Sequence, residues 1–234
     1  MVDFKKIFGA NREDIRKNCL MLPMDDRGLF KSLNAKPGAK GMLFDISHSD
    51  ICTVIYLKHM CFSGDCLIML KETDCENLIL FGSCGALKGD VGDKILPSRS
   101  MNLESFADFL KQDGFPENDY YYPDRKLVEK FENSVDTSGY MKYTCATVSS
   151  LVLEEEKTDM LLSAGIDCLD MEISSVFSAA SRSGIKAMAL FYAAEVIGKL
   201  HFYDKFDLKS RAKIKGAKRS MADKLVRFIV NELG

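Results

Sequence analysis

The sequence predicts an α/β domain with helices on both faces of a mixed sheet, and three observations predict it. Short apolar runs alternate with segments of helical period along the chain. The runs are brief, rich in Ile, Val, Leu and Phe, and bounded by Gly, Asp or Pro, as buried strands are. The 234 residues, 47% hydrophobic and 28% charged, suffice for one sizeable core, and no repeat, low-complexity tract or linker divides them. A single domain over residues 1–234 is the expectation.

Strands are expected at Cys19–Leu22, Met42–Ile46, Cys52–Leu57, Leu78–Phe81, Lys94–Leu96, Tyr143–Val148 and Lys186–Tyr192. Helices are expected at Ser63–Lys71, Arg125–Ser134, Glu154–Ala164, Glu172–Ser183 and Ser210–Leu233. In the fourth, Ile173, Val176, Phe177 and Ala180 fall on one face, and Gly184 stops it. In the last, Met221, Leu225, Phe228 and Ile229 form the apolar stripe. Lys209–Arg219 carries six basic residues in eleven, which could contact phosphate or form a solvated face; Asp223 and Glu232 behind it favour the solvated face.

Charge and cysteine usage narrow the function classes. The net charge of −2 supplies no positive field to recruit nucleic acid or an anionic membrane. The start, MVDFKKIFGANREDIRKN, has no apolar leader core, and no stretch approaches a membrane span, so the chain reads as cytoplasmic and unanchored. The eight cysteines include no C-x-x-C, and His48, His59 and His201 show no paired spacing, so no metal is expected.

Three spots could carry chemistry. Phe81-Gly-Ser-Cys-Gly-Ala86 follows a strand, and its glycines and Ser83 would let the backbone approach an anion, although turns use the same residues. Gly89-Asp-Val-Gly-Asp93 behind it reads as a turn into the next strand. Asp170-Met171-Glu172 stands where a strand runs into a helix. Glu172 in the first helical turn is either a dipole partner or a carboxylate accepting two sugar hydroxyls beside an apolar Met171. Glu195 closes the apolar run Ala187–Ala194, where open α/β sheets place ligands; partial burial there would raise its pKa and suit it to donate a proton.

In this order and spacing the three spots resemble the nucleoside phosphorylase superfamily, which includes purine nucleoside phosphorylase, uridine phosphorylase and methylthioadenosine nucleosidase. Leu78-Ile-Leu-Phe-Gly-Ser-Cys-Gly-Ala-Leu87 with Val91-Gly-Asp-Lys-Ile95 resembles the family's phosphate-site strand and turn and the strand that follows. Leu169-Asp-Met-Glu-Ile-Ser-Ser-Val-Phe177 resembles its ribose-binding motif, and Gly184–Glu195 the strand ending in its general acid. Leu20-Met-Leu-Pro-Met-Asp-Asp-Arg27 resembles the first phosphate loop, and Lys40-Gly-Met-Leu43 the segment that reaches a neighbouring subunit's site.

The resemblance implies a three-layer α/β/α sandwich around a mixed, partly barrel-like sheet, and self-association as dimers or hexamers. It implies cleavage of a nucleoside's N-glycosidic bond with inorganic phosphate as co-substrate and no other cofactor. Glu195 would be catalytic. Asp170, Met171 and Glu172 would hold the ribose, and Gly82, Ser83, Lys40 and Arg27 the phosphate. His59 near the sugar, and Lys215 or Lys218 as a cationic partner for Glu195, are further candidates. Tyr143–Leu151 lacks the Gln/Arg pair of uridine phosphorylases, so the base expected is a purine.

Departures from the family pattern leave the nucleophile open. Leu80 stands where phosphorylases carry arginine, Met24 replaces a loop glycine, and Arg27 comes one place early with Gly28 at the expected spot. Lys40 replaces the subunit-crossing arginine without its bidentate fork, and Glu195 replaces an aspartate. Each charged donor lost to a phosphate costs about 1.5–3 kcal/mol. A phosphorylase with an altered phosphate site is therefore weighed against a nucleosidase using water and a non-catalytic nucleoside binder.

Overall fold

The computed structural model describes residues 3–24, 26–104 and 120–234, with the side chains of Arg27 and Ala39 outside that description. The strands are β1 (Asn18–Leu22), β2 (Lys36–Lys40), β3 (Phe44–His48), β4 (Thr53–Leu57), β5 (Asn77–Ala86) and β6 (Lys94–Ile95). They continue with β7 (Arg99–Leu103), β8 (Tyr120–Tyr121), β9 (Tyr140–Met141), β10 (Thr144–Val148), β11 (Cys168–Asp170) and β12 (Lys186–Val196). The α-helices are α1 (Phe4–Phe8), α2 (Arg27–Ser32), α3 (Ser63–Leu70), α4 (Arg125–Ser134), α5 (Leu151–Glu156), α6 (Thr158–Ser163), α7 (Ile173–Ser183) and α8 (Leu208–Phe228).

All twelve strands among the described residues join one mixed sheet, ordered β2-β3-β4-β1-β5-β11-β10-β7-β8, with β12 pairing both β5 and β6. Its spine is the parallel pair β5–β12, in register from Asn77↔Lys186 to Ala86↔Val196. β5 changes partners on its other edge: residues 77–80 pair with β1 in parallel, and Gly85 and Ala86 pair antiparallel with β11. That switch gathers the ends of β1, β11 and β12 around the far half of β5. Ligands in α/β sheets sit at such points.

Alternation along β12 builds the layers. Ala187, Ala189, Phe191 and Ala193 enter a core with Ile7 and Phe8 of α1, Leu67 and Leu70 of α3, and Val176 and Phe177 of α7. Met188, Leu190 and Tyr192 enter a second core with Leu29 of α2, Phe131 of α4, and Met221, Leu225 and Phe228 of α8. A third cluster packs Val148 and Leu169 against Leu153 and Leu161 of α5 and α6. This is the α/β/α arrangement expected.

Four expectations need correction. The Gly82–Gly85 segment is strand, not turn, because β12 pairs with it throughout. The helix expected at Glu154–Ala164 is two. Ser150 caps the first by accepting from the Leu153 N–H at 3.2 Å, and the chain breaks at Lys157. The last helix begins at Leu208, where Asp207 accepts from the Ser210 N–H at 2.6 Å, and widens into a π-type turn over Ile229–Leu233. The strand expected at Met42–Ile46 is β3, two residues later, preceded by the edge strand β2. The sequence Lys36-Pro-Gly-Ala-Lys40 offers no apolar alternation to announce that edge. No described helix is long and apolar enough to cross a membrane.

Candidate active site

A cavity of about 260 Å³ opens beyond the ends of β5, β11 and β12. Pro23 and Met24 after β1, Met60, Val148, Leu151, Leu169, Met171 and Phe202 supply apolar walls. Ser83, Cys84 and Gly85 come from β5. Four carboxyls share the space, Glu154, Asp170, Glu172 and Glu195, and each residue is 8% exposed or less. Among the described residues, no lysine or arginine lines it.

Asp170 organises the ribose-motif segment. Its Oδ2 accepts from the Glu172 N–H at 3.0 Å and the Ile173 N–H at 2.6 Å, while its Oδ1 accepts from the Thr147 hydroxyl at 2.9 Å. The same Thr147 oxygen accepts from the Ser174 N–H at 2.8 Å. Asp170 thus caps α7 through side-chain bonds that satisfy the helix's orphan N–H groups. Although it lines the cavity, its oxygens are already engaged.

Glu172 is consequently not in the first turn, as the sequence suggested. It stands one place earlier, at the N-cap position, and its side chain makes no capping bond. Burial first, then the Asp170 charge, push its pKa up to about 8. Burial also raises Asp170, to about 7, with its three donors opposing the rise.

Glu195 owes its position to a β-bulge between Ala193 and Glu195, where β12 gains a residue over β5. Bulges re-aim side chains in this way beside functional sites. Glu195 lies opposite Gly85, and the glycine makes room: a Cβ there would sit 2.5 Å from Ile197 Cδ1 and 3.3 Å from Glu195 Oε1. The Glu195 Oε2 accepts from the Phe202 N–H at 3.1 Å. Burial raises its pKa, with that bond and nearby His201 pulling it down.

The end of the cavity at Ser83 is built differently. Ser83 is half-buried on the wall, and the Lys218 Nζ lies 5.9 Å from the centroid of the buried Tyr192 ring. Lys218 pairs with Asp26 at 3.2 Å, and Asp26 also caps α2. Lys218 does not line the cavity, and the neighbour of Glu195 is His201 instead. Lys215 is exposed on α8. Lys40 is exposed on the edge strand β2 and His59 is exposed before Met60, so neither lines the cavity. Arg27 begins α2, and its side chain lies outside the described residues. Gly82 contributes strand backbone, and a Cβ there would sit 3.4 Å from Phe191 Cε1 and Pro23 Cγ.

Glu154 and Thr147 went unread in the sequence. The signal for Glu154 was its phase: Leu153, Glu154, Lys157 and Leu161 form the buried stripe, while Glu155 and Glu156 face outward. Thr147 had none, because its partners Asp170 and Ser174 lie more than twenty residues away. No group of three or more His, Cys, Asp or Glu among the described residues is placed to hold a metal ion.

Comparison with known proteins bears on this geometry. The chain resembles in fold the 5′-methylthioadenosine/S-adenosyl homocysteine nucleosidase of Campylobacter jejuni, at TM-score 0.71 and 14% identity, covering 93% of this chain and 100% of that one. It also resembles the purine nucleoside phosphorylase of Toxoplasma gondii solved with immucillin-H (TM-score 0.74, 17% identity, 95% and 93% covered). The uridine phosphorylase of Vibrio fischeri is similar as well (TM-score 0.74, 14% identity, 93% of each chain). No curated protein matches in sequence. The family model described as Phosphorylase superfamily matches residues 65–224, more than half of the chain, from within α3 into α8. The chain belongs to the Phosphorylase superfamily.

Proposed function

We propose that this protein cleaves the N-glycosidic bond of a purine nucleoside and that water is the attacking group. The observation that carries the reading is the set of four buried carboxyls around one apolar cavity, with Glu172 held at the head of α7 by Asp170. Glu172, once ionised, accepts hydrogen bonds from the two ribose hydroxyls, and Met171 packs against the sugar. Glu195 donates a proton to the departing purine. The bond's electron pair leaves with the base while the sugar carbon becomes oxocarbenium-like and takes up water. Fixing the sugar before bond breaking lowers the entropic part of the barrier.

The acid lining is what favours water. A phosphate dianion would enter a cavity that already contains several groups competing to stay neutral, and each like charge nearby raises the cost. The sequence put phosphate first; the carboxyls put it second.

A second reading, phosphorolysis, draws support from one feature. Tyr192 pairs with Ser83 across β12 and β5, and its ring lies 5.9 Å from the Lys218 Nζ, so a cation stands one side chain behind the wall. Phosphate would then bind at Gly82 and Ser83, with Arg27 or Lys40 of a dimer or hexamer adding charge. Base release from adenosine, inosine and guanosine with and without phosphate tests both. Release indifferent to phosphate, yielding free ribose, is expected; release that requires phosphate establishes the second reading, and no release from any nucleoside overturns both.

A further inference from the structure

The cavity wall leads inward to a group of thiols that the reaction above does not use. Cys145 of β10 and Cys168 of β11 stand opposite each other in register, both fully buried, with their Sγ atoms 2.9 Å apart. Cys84 of β5 lines the cavity, is 4% exposed and packs into the same core as the other two. All three are free thiols, and among the described residues no group of three or more His, Cys, Asp or Glu is placed to hold a metal ion. Alternate residues of a strand share a face, so the layer next to the Cys145–Cys168 pair is Thr147 opposite Asp170, joined at 2.9 Å. The thiols therefore lie directly beneath the bond that orients the head of α7.

We propose that Cys84, Cys145 and Cys168 form a redox site at which a peroxide converts Cys145 and Cys168 to a disulfide, strapping β10 to β11 beneath Asp170. Neighbouring strands run about 4.8 Å apart, inside the roughly 4.4–6.8 Å Cα separation that a disulfide spans, so the backbone spacing already suits the bond. The oxidant enters by the cavity. The Cys84 sulfur takes one hydroxyl of the peroxide as the O–O bond breaks, and its proton leaves with the other hydroxyl as water. The Cys168 sulfur displaces the hydroxyl from Cys84, its own proton leaves with it as a second water, and a Cys84–Cys168 disulfide forms. Cys145 then attacks the Cys168 sulfur, the disulfide shifts to Cys145–Cys168, and the Cys145 proton passes to Cys84. In sum two thiols lose two electrons and two protons, and the peroxide becomes two waters. Burial pushes Cys168 and Cys145 up, Cys145 to about 11, while the Cys168 thiol and then burial push Cys84 up. Few thiolates form at neutral pH, so the site answers sustained oxidant rather than a brief pulse.

The test is prolonged exposure of the reduced full chain to excess hydrogen peroxide, alkylation of the remaining thiols in denaturant, trypsin digestion without reductant and mass spectrometry. Cleavage after Lys142, Lys157 and Arg182 puts Cys145 and Cys168 on separate peptides, Tyr143–Lys157 and Thr158–Arg182. They should appear joined, about 2 Da lighter than the sum of the two thiol peptides, and part again with dithiothreitol. The melting temperature should rise by about 3 °C or more on oxidation, because the bond closes a loop in the unfolded chain. Reduction should reverse that rise. Cys145→Ala should show neither change. Cys84→Ala should slow the cross-link by about tenfold or more, since it removes the thiol that the oxidant meets first.

The wild-type peptide map decides the matter even where a variant fails to fold. Cys145 and Cys168 recovered as alkylated thiols after the treatment overturn the redox site, and so does a disulfide that joins other cysteines in their place. A cross-link that leaves the melting temperature unchanged or lowers it overturns the strap. Cross-linking of Cys84→Ala at the wild-type rate overturns entry through the cavity. None of these readouts depends on turnover of a nucleoside.

Discussion

The two ends of the cavity are built on opposite plans. At the β11–α7 end, Asp170 takes two backbone N–H groups and a hydroxyl, and Thr147 takes a third N–H. At the β1–β5 end, Met24 is 45% exposed, Leu80 is fully buried in the core, and Lys218 stands behind the wall against the Tyr192 ring. The contrast teaches that one end of the cavity is preorganised by hydrogen bonds while the other presents apolar side chains and no lining cation among the described residues. Preorganisation matters where geometry must be fixed before reaction; water makes no such demand for charge.

The largest effect expected is at the ordered end. Glu172→Ala removes the acceptor of two hydroxyl bonds and should lower kcat/KM by roughly 10²–10⁴-fold. Because the lost group is a buried carboxyl without a capping duty, thermal stability should hold or rise, and a melting curve checks this. Wild-type activity in this variant would end the ribose assignment.

Asp170→Ala should behave in the opposite sense. It strips two N–H groups and a hydroxyl of their acceptor and should cost about 2–4 kcal/mol in denaturant unfolding. Asp170→Asn, which can still cap, should recover much of it.

Leu80→Arg sharpens the comparison at the other end. The site is fully buried beside Leu78 and Cys84, so the arginine enters a core without a partner among the described residues. A loss of about 3 kcal/mol or more is expected, without acquired phosphate dependence. A stable, phosphate-dependent variant would mean that this wall is a dormant phosphate site.

The acid cluster should also set the pH dependence of stability. Glu154 and Glu172 hold their protons to about 8 in the folded chain, against an ordinary 4.5. Between these values the folded state binds more protons than the unfolded one, so stability falls as pH rises through that window. The melting temperature should be lower at pH 8 than at pH 5, and Glu154→Gln and Glu172→Gln should each flatten the slope.

The smallest effect belongs to Lys218. Its pair with Asp26 is partly exposed, so Lys218→Met should cost about 1 kcal/mol or less. Base release should change by less than about fivefold, the factor to which that energy amounts. A large, phosphate-dependent loss would favour the second reading.

What was legible in the sequence follows the same division. The ribose segment could be read because Asp170, Met171 and Glu172 are contiguous, and because Ile173, Val176 and Phe177 mark the helix behind them. Gly85 was legible as a special position but for another reason: it clears space for Ile197 and the Glu195 carboxyl rather than forming a turn. Long-range pairing extended β5 and β12 past their apolar runs, and no local pattern encodes that. Glu154 was hidden among three consecutive glutamates, since only the tertiary packing of α5 says which one turns inward.

One measurement tests the central claim most directly: adenosine incubated with the enzyme in the presence and absence of phosphate, with both products separated by chromatography. The account predicts adenine and free ribose at the same rate in each. Ribose 1-phosphate formed only when phosphate is present would contradict it, and so would adenosine recovered intact.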